Sequence, residues 1–481
     1  MKKQFISISL SAVMLASVIP AADNSFICTS AADSEMRDMT TMEIVRDMGV
    51  GINLGNTLEA CGDWIADVDR QWGDGILTVE EYETAWGSPV ISKEMIKGMA
   101  DEGFGVVRVP VAWSNLMEDG YKINKDLDAR VHEVVDWIIE CDMYAIINIH
   151  WDNGWVNTFP DNKDECMLRY QTMWTQIADS FKEYGDRLMF ESQNEELGWE
   201  KLWNPWGSTD GKAESYALVN EINQKFVDVV RSSGGNNPKR HLLISGYNTG
   251  FDRTCDPLFK MPSDPADRMA VSVHYYTPAG FAILEDEDAD WAKARPTWGT
   301  DADYKELYDN MDMMKKGYID KGIPVIVGEY GCPSKGKEPD SVRLFISSVC
   351  KAAYERGLCP VLWSTPGGHY DREKCQMADQ ELKKLLNEIS GFESKQAVTT
   401  TTTIPDTTTA SPQTTAMTTE KQPLRGDVNK DGSFNVADLV ALQQFILGNG
   451  QLEAWEAADL CEDKVIDIFD VIAIRELLIY N

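Results

Sequence analysis

Three glutamates fall within six positions in the stretch F-E-S-Q-N-E-E-L-G-W at 190–199: Glu191, Glu195 and Glu196. The run R-L-M-F at 187 leads into them and reads as a strand. A strand aimed at a core has no use for carboxylates, because a charge taken out of water must be paired or neutralised. A further carboxylate of this kind, Glu329, ends the apolar run P-V-I-V-G-E-Y at 324. Two carboxylates facing each other across a cleft are what glycosidic hydrolysis requires. One protonates the leaving oxygen, and the other attacks the sugar or activates water. No Ser-His-Asp arrangement stands out, and the five histidines are too dispersed for a metal cage. Catalysis is therefore expected to need no cofactor.

Positioning such a pair takes a scaffold, and the chain supplies eight strand-like runs. They begin at 49, 104, 143, 187, 241, 269, 324 and 359, with amphipathic helical patterns between most of them. Eight such units in the segment 35–393 predict an α/β fold, a (β/α)8 TIM barrel. An open doubly wound sheet is the alternative, but its phosphate turn is matched only by the weak G-x-G-x-x-x-G at 49–55, with no clear helix after it. Most of the runs end in polar or aromatic residues that a plain core strand would not need. In order they are Asn53, Arg108, His150, Asn194 with Glu195, His274 with Tyr276, Glu329 and Trp363. The C-terminal strand ends are where such barrels carry their sites. By period two, Glu191 shares a strand face with Glu195 but lies deeper, where it needs a cation or a proton. Glu196 is already in the loop. His132, on a helical pattern, and His241, at a strand start, read as structural, whereas His369 follows the eighth strand and is placed to reach a ligand.

Together these motifs closely resemble glycoside hydrolase family 5, the retaining cellulase-type barrel. The matching segments are G-I-N-L-G-N-T-L-E-A at 51, T-A-W-G-S-P-V at 84, V-R-V-P-V-A-W at 107 and I-I-N-I-H at 146. They continue with N-E at 194, V-H-Y-Y at 273, G-E-Y-G at 328 and L-W at 362. The resemblance implies Glu195 as acid/base and Glu329 as nucleophile, with Arg108, His150, Asn194, His274, Tyr276 and Trp363 lining the catalytic subsite. Three positions depart from the family's common pattern: Glu196 where a proline often follows Asn-Glu, Trp151 where a second histidine often stands, and S-T-P-G-G-H-Y after Trp363. Of the loop tryptophans Trp151, Trp155, Trp199, Trp203, Trp206, Trp291 and Trp298, some are expected to stack on sugar rings and the rest to brace loops.

The charge balance agrees with a neutral substrate. A formal net charge of −33 over 481 residues repels nucleic acid and anionic membranes. The N-terminus has two lysines, an apolar run and small residues, the pattern of a signal peptide within 1–32, with cleavage after Ala22 or near Ala32. No other segment is apolar enough to span a bilayer. The ten cysteines show no CxxC or zinc spacing. Secretion permits disulfides, but most of these residues read as buried thiols.

A Thr/Pro-rich linker at 394–424 cannot form a core, and it separates the barrel from a small segment, 425–481. There, D-V-N-K-D-G-S-F-N-V-A-D (427–438) puts oxygen side chains at positions 1, 3, 5, 9 and 12 of an EF-hand-like loop, with Gly at 6. Asp427, Asn429, Asp431, Ser433 (through its carbonyl), Asn435 and Asp438 are the expected Ca²⁺ ligands. The segment repeats 32 residues on as D-L-C-E-D-K-V-I-D-I-F-D (459–470), offering Asp459, Asp463, Asp467 and Asp470. Cys461 and Lys464 in this second loop predict weaker binding, since an oxygen ligand and the turn glycine are missing. The duplicated loop-helix after such a linker resembles a dockerin, which implies a small all-α calcium-binding module and a cohesin partner on a scaffold. The full expectation is a secreted, extracellular, cellulosome-associated endo-β-1,4-glucanase acting on β-glucan. Xyloglucan, mannan and mixed-linkage glucan are alternative substrates, and a non-catalytic carbohydrate-binding scaffold component is the rival from another class.

Overall fold

Eight short runs of β-branched and apolar residues pair edge to edge, in chain order and in parallel. They are β1 (Gly51–Asn53), β2 (Val106–Val109), β3 (Tyr144–Asn148), β4 (Leu188–Glu191), β5 (Leu242–Ser245), β6 (Met269–Tyr275), β7 (Val325–Tyr330) and β8 (Cys359–Leu362). β8 returns to β1, so the barrel is closed and none of these eight strands has an open edge. The computed structural model describes residues 34–195, 201–207 and 210–392, and in the C-terminal part 428–430, 434, 438–439, 441–442, 445, 455–458, 460, 466 and 474. The expected signal segment and linker lie outside the described residues. So do Glu196, Trp199, Asp427, Asp431, Ser433, Asn435, Asp459, Cys461, Asp463, Lys464, Asp467 and Asp470. The chain divides into two compact units, Met1–Val398 and Thr399–Asn481.

The period of two along each strand sorts the barrel interior into layers. Val106, Tyr144, Ile146, Met189, Leu243, Ala270, Ile326 and Val361 form one buried apolar cluster. Ile44, Val45 and Met48 join it from the helix Thr41–Asp47 and the residue that caps it, closing the barrel floor. That helix starts on a capping box, with Thr40 accepting from Glu43 N and Glu43 bonding back to the Thr40 backbone. One period further along β2, β3, β4 and β6 stand Arg108, Asn148, Glu191 and Ser272, all fully buried. The interior therefore changes from apolar to polar towards the C-terminal strand ends.

A second, larger apolar cluster lies between the strands and the surrounding helices, among them Lys125–Glu140, Lys163–Ser180, Lys212–Ser232 and Pro339–Tyr354. Each fully buried Val, Leu, Ile or Phe there contributes about 1.5–3 kcal/mol over an exposed one. The β5–β6 connection is the exception, with a single helical turn, Phe251–Thr254, instead of a long helix. Trp155 and Trp298 are buried in this cluster and brace loops, and Trp203 packs against it. His132 stacks on Phe181 and bonds Tyr184 and Ser180, and His241 bonds Thr41, so both are structural. No helix among the described residues is long and apolar enough to cross a membrane.

In the second unit, Val428, Leu442, Ala458, Leu460 and Ile474 form a small buried cluster. Val428 with Leu460, and Leu442 with Ile474, are residues related by the 32-residue repeat. The duplication thus places equivalent apolar side chains in one shared core. The Asp438 carboxyl is fully buried and accepts from Asn429 N at 3.2 Å, which draws together the third and twelfth positions of the first acidic loop.

Candidate active site

Arg108 organises the polar end of the barrel. Its side chain is fully buried and uses nearly all of its donor fork. Nε donates to Glu191 Oε2 at 2.7 Å, Nη1 to Glu329 Oε1 at 2.7 Å and to Asn53 Oδ1 at 3.0 Å, and Nη2 to Asn194 Oδ1 at 2.9 Å. Four strand ends are tied together by one guanidinium. The Glu191 carboxylate also accepts from Asn148 Nδ2 at 2.9 Å and from Ser272 Oγ at 2.8 Å. It has the cation its depth demands, and every one of its partners is another buried side chain. Asn148 and Ser272 were not among the expected residues. Each stands two positions before an expected histidine, His150 or His274, so the strand period carried the signal.

Glu329 has a second donor, the Tyr276 hydroxyl, at 3.0 Å from Oε2. His274 Nδ1 lies 3.6 Å from this same oxygen and 3.6 Å from Glu195 Oε1, flanking both carboxylates. Two irregularities in pairing produce this arrangement. The β6–β7 register shifts between Val273 and His274, and the β7–β8 register shifts between Val327 and Tyr330. Such bulges re-aim side chains beside active sites. Gly328 leaves the space that His274 and Ser272 need, since a Cβ there would come within 2.9 Å of Ser272 Oγ and 3.2 Å of His274 Nε2.

Asn194 does not bond Glu329 itself. It acts instead through Arg108, and its own backbone is fixed by Ile149 O at 3.0 Å. His150 lies parallel to the Trp363 ring, with centroids 6.0 Å apart and planes within 4°. His150, Glu195, Tyr276, Glu329, Trp363 and His369 line one cleft. His369 is held there by Cys332 O at 3.0 Å. Of the other loop tryptophans, Trp151, Trp206 and Trp291 are exposed.

Electrostatics divide the two carboxyls. Burial pushes the Glu329 carboxyl above the ordinary glutamate range, against the pull of His274 and Arg108. Burial also works against charge on Glu195, but there His274, Arg108 and Arg253 together outweigh it and hold the carboxyl low. His274 resists its own burial through Glu329 and Glu195 and is raised. His150 has no such partner, and burial beside Arg108 and His274 drives it well below the ordinary imidazole value. Ligand atoms of Glu195, His274 and Glu329 all lie within 4.8 Å of one another. Because the Arg108 guanidinium already bonds Glu329, a divalent cation would meet a like charge there.

A closed parallel barrel whose strand ends converge on two carboxyls beside a cleft, with a guanidinium and a tyrosine on one of them, defines a glycoside hydrolase. The sequence profile of the family described as Cellulase (glycosyl hydrolase family 5) matches residues 69–367. The chain belongs to glycosyl hydrolase family 5, and residues 425–478 match the Dockerin type I domain. It is 34% identical over 360 residues to Endoglucanase A of Ruminococcus albus, covering 72% of this chain and 91% of that protein. It is 30% identical over 429 residues to Endoglucanase B of Clostridium cellulovorans, covering 88% and 87% respectively. Among solved structures it resembles a GH5-4 broad specificity endoglucanase from an uncultured bovine rumen ciliate. The TM-score is 0.65 at 37% identity, with 73% of this chain and 98% of that one covered.

Proposed function

We propose that the barrel hydrolyses internal β-1,4-glucosidic bonds of a β-glucan with retention of configuration. The observation that carries this reading is the spacing of Glu195 and Glu329, whose nearest carboxylate oxygens lie within 4.8 Å. Retaining pairs stand about 5–5.5 Å apart, whereas inverting pairs need about 6.5–9.5 Å to admit a water. Glu329 attacks the anomeric carbon. Arg108 Nη1 and the Tyr276 hydroxyl fix its two oxygens and leave a lone pair for the sugar. Glu195 protonates the glycosidic oxygen as the bond breaks. It then takes a proton from the water that opens the glycosyl-enzyme ester, and its partly exposed carboxyl suits exchange with solvent. Substrate that covers the cleft removes water from Glu195 and favours its neutral form, with His274 as the adjoining proton store. Trp363 and His150 provide flat surfaces for the sugar in the catalytic subsite, and Asn194 holds Arg108 in place.

The similar solved structure is described as of broad specificity, and xyloglucan or mixed-linkage glucan fit the same machinery. A non-catalytic scaffold role is disfavoured because both carboxyls and their donors are in place. The test is a polysaccharide panel. Carboxymethylcellulose viscosity should fall faster than reducing ends appear, and strong activity on mannan with none on any glucan would overturn the reading.

For the second unit, the same proposal assigns a cohesin partner on an extracellular scaffold, after export directed by residues 1–32. The Asp438 contact to Asn429 N fits a closed acidic loop whose donors are hard oxygens, as Ca²⁺ requires. Asp427, Asn429, Asp431, Ser433, Asn435 and Asp438 would hold the first ion, and Asp459, Asp463, Asp467 and Asp470 a weaker second one. The ion supplies folding free energy to a module too small to bury much apolar surface.

A further inference from the structure

Two tryptophans outside the catalytic cluster present their rings to solvent from loops that touch each other. The loop after β1 carries Trp64, 47% exposed, on the helix Asp63–Trp72, and the loop after β3 carries Trp151, 39% exposed. The β1 loop crosses the end of β2, where Ala112 N donates to Leu58 O at 3.0 Å and Asn115 Nδ2 to Ala60 O at 2.8 Å. It then meets the β3 loop, where Asn153 N donates to Cys61 Sγ at 3.4 Å. Trp64 lies three residues beyond one side of this contact, and Trp151 two residues before the other.

Each indole rests against a glycine. A Cβ on Gly62 would come within 2.7 Å of Trp64 Nε1, and one on Gly154 within 2.8 Å of Trp151 Cζ2. The turn under Trp151 is strained, since Asp152, Asn153 and Gly154 have φ of 51°, 60° and 69° in succession. Positive φ costs a non-glycine residue about 1–3 kcal/mol. The buried Asp152 carboxylate keeps the turn in place by accepting from Ser114 N at 2.8 Å, Ser114 Oγ at 2.6 Å and Trp155 Nε1 at 2.6 Å. Core packing does not account for an exposed ring held this way, and strain of this kind clusters at ligand clamps. The position is also continuous with the cleft, because Trp151 directly follows His150, which lies parallel to Trp363.

We propose that Trp64 and Trp151 form a distal sugar-binding site, on which a β-1,4-glucan chain leaving the catalytic cleft lays the apolar C–H faces of successive glucose rings. This site rests on the glucan reading above. It lengthens the bound chain and makes the enzyme favour long substrates. The test measures kcat/KM on cellohexaose and on cellotriose for Trp64→Ala, Trp151→Ala, the double variant and Trp151→Tyr. The ratio of the two values should fall about tenfold for each alanine and be largely restored by tyrosine. Trp64 projects from the surface, so Trp64→Ala alone keeps the test intact if Trp151→Ala loosens its turn. An unchanged ratio in Trp64→Ala, with wild-type protein active on both oligosaccharides, overturns the site alone. Wild-type protein inactive on every cello-oligosaccharide but active on another polysaccharide overturns the glucan reading and the site with it.

Discussion

Arg108 and Glu191 form a fully buried ion pair, Nε to Oε2 at 2.7 Å, beneath the two carboxyls that face the cleft. Because the same guanidinium also bonds Glu329, one positive charge serves two negative ones. Glu191→Gln should leave Glu329 with less competition for that charge. The acid limb of kcat/KM should therefore move to lower pH, by up to about one unit. Glu191→Ala should instead destabilise the barrel by about 3–5 kcal/mol, because it leaves Arg108 short of a buried partner. A pH–rate profile and thermal melts measure the two effects separately.

His274 gives a second pH signature. Its folded pKa is raised, so its contribution to stability is fully present below the unfolded value of about 6.5 and is lost as pH rises through the folded value. Melting temperatures of wild type and His274→Asn should thus differ most in mildly acidic buffer and converge at alkaline pH. A gap that widens above neutrality would assign His274 the opposite charge state.

Lys337 ties two walls of the cleft together. Its buried ammonium donates to Glu285 O at 2.8 Å, Arg295 O at 2.9 Å and Gly280 O at 3.3 Å, joining the β7 loop to the β6 loop. Lys337→Met leaves three carbonyls without this donor. It should cost about 2–4 kcal/mol and raise KM for glucan severalfold, with a smaller change in kcat. Steady-state kinetics beside a denaturant melt check both.

In the dockerin module, calorimetry on the full chain should resolve one tight and one weaker calcium event, because the second loop has Cys461 and Lys464 at positions where an oxygen ligand and a glycine serve best. Chelation should abolish cohesin binding while leaving glucan hydrolysis intact. Two equally tight events would contradict the asymmetry.

Much of this was legible in the sequence because parallel barrel strands carry two independent signals. Apolar runs of strand length gave the eight strands, and polar residues at their C-terminal ends gave Arg108, His150, His274 and Glu329. What escaped depends on register and on contacts between distant segments. The shift between Val273 and His274 sets where the imidazole points, and no local pattern encodes it. Arg108 pairing with Glu191 follows from barrel closure across positions far apart in the chain. Trp64 carries no signal of its own in the sequence, because only the crossing of the β1 loop to Asn153 brings it towards Trp151.

Removing Glu195 should lower kcat about 10²–10⁴-fold on natural glucan. Azide should restore turnover of Glu195→Ala on activated aryl substrates, since a small anion can enter where the carboxylate stood and needs no proton. Glu329→Ala should lose turnover and keep substrate binding. Failure of azide to rescue Glu195→Ala, with rescue of Glu329→Ala giving an inverted azide adduct, would exchange the two roles.

The central claim is that Glu195 and Glu329 work as a retaining pair, and the stereochemistry of the first product tests it most directly. Proton NMR of cellopentaose during the first minutes of hydrolysis should show the β anomer of the new reducing end, with the α anomer growing in only by mutarotation. An α anomer appearing first would mean inversion, and it would contradict a carboxyl separation too short to hold the attacking water.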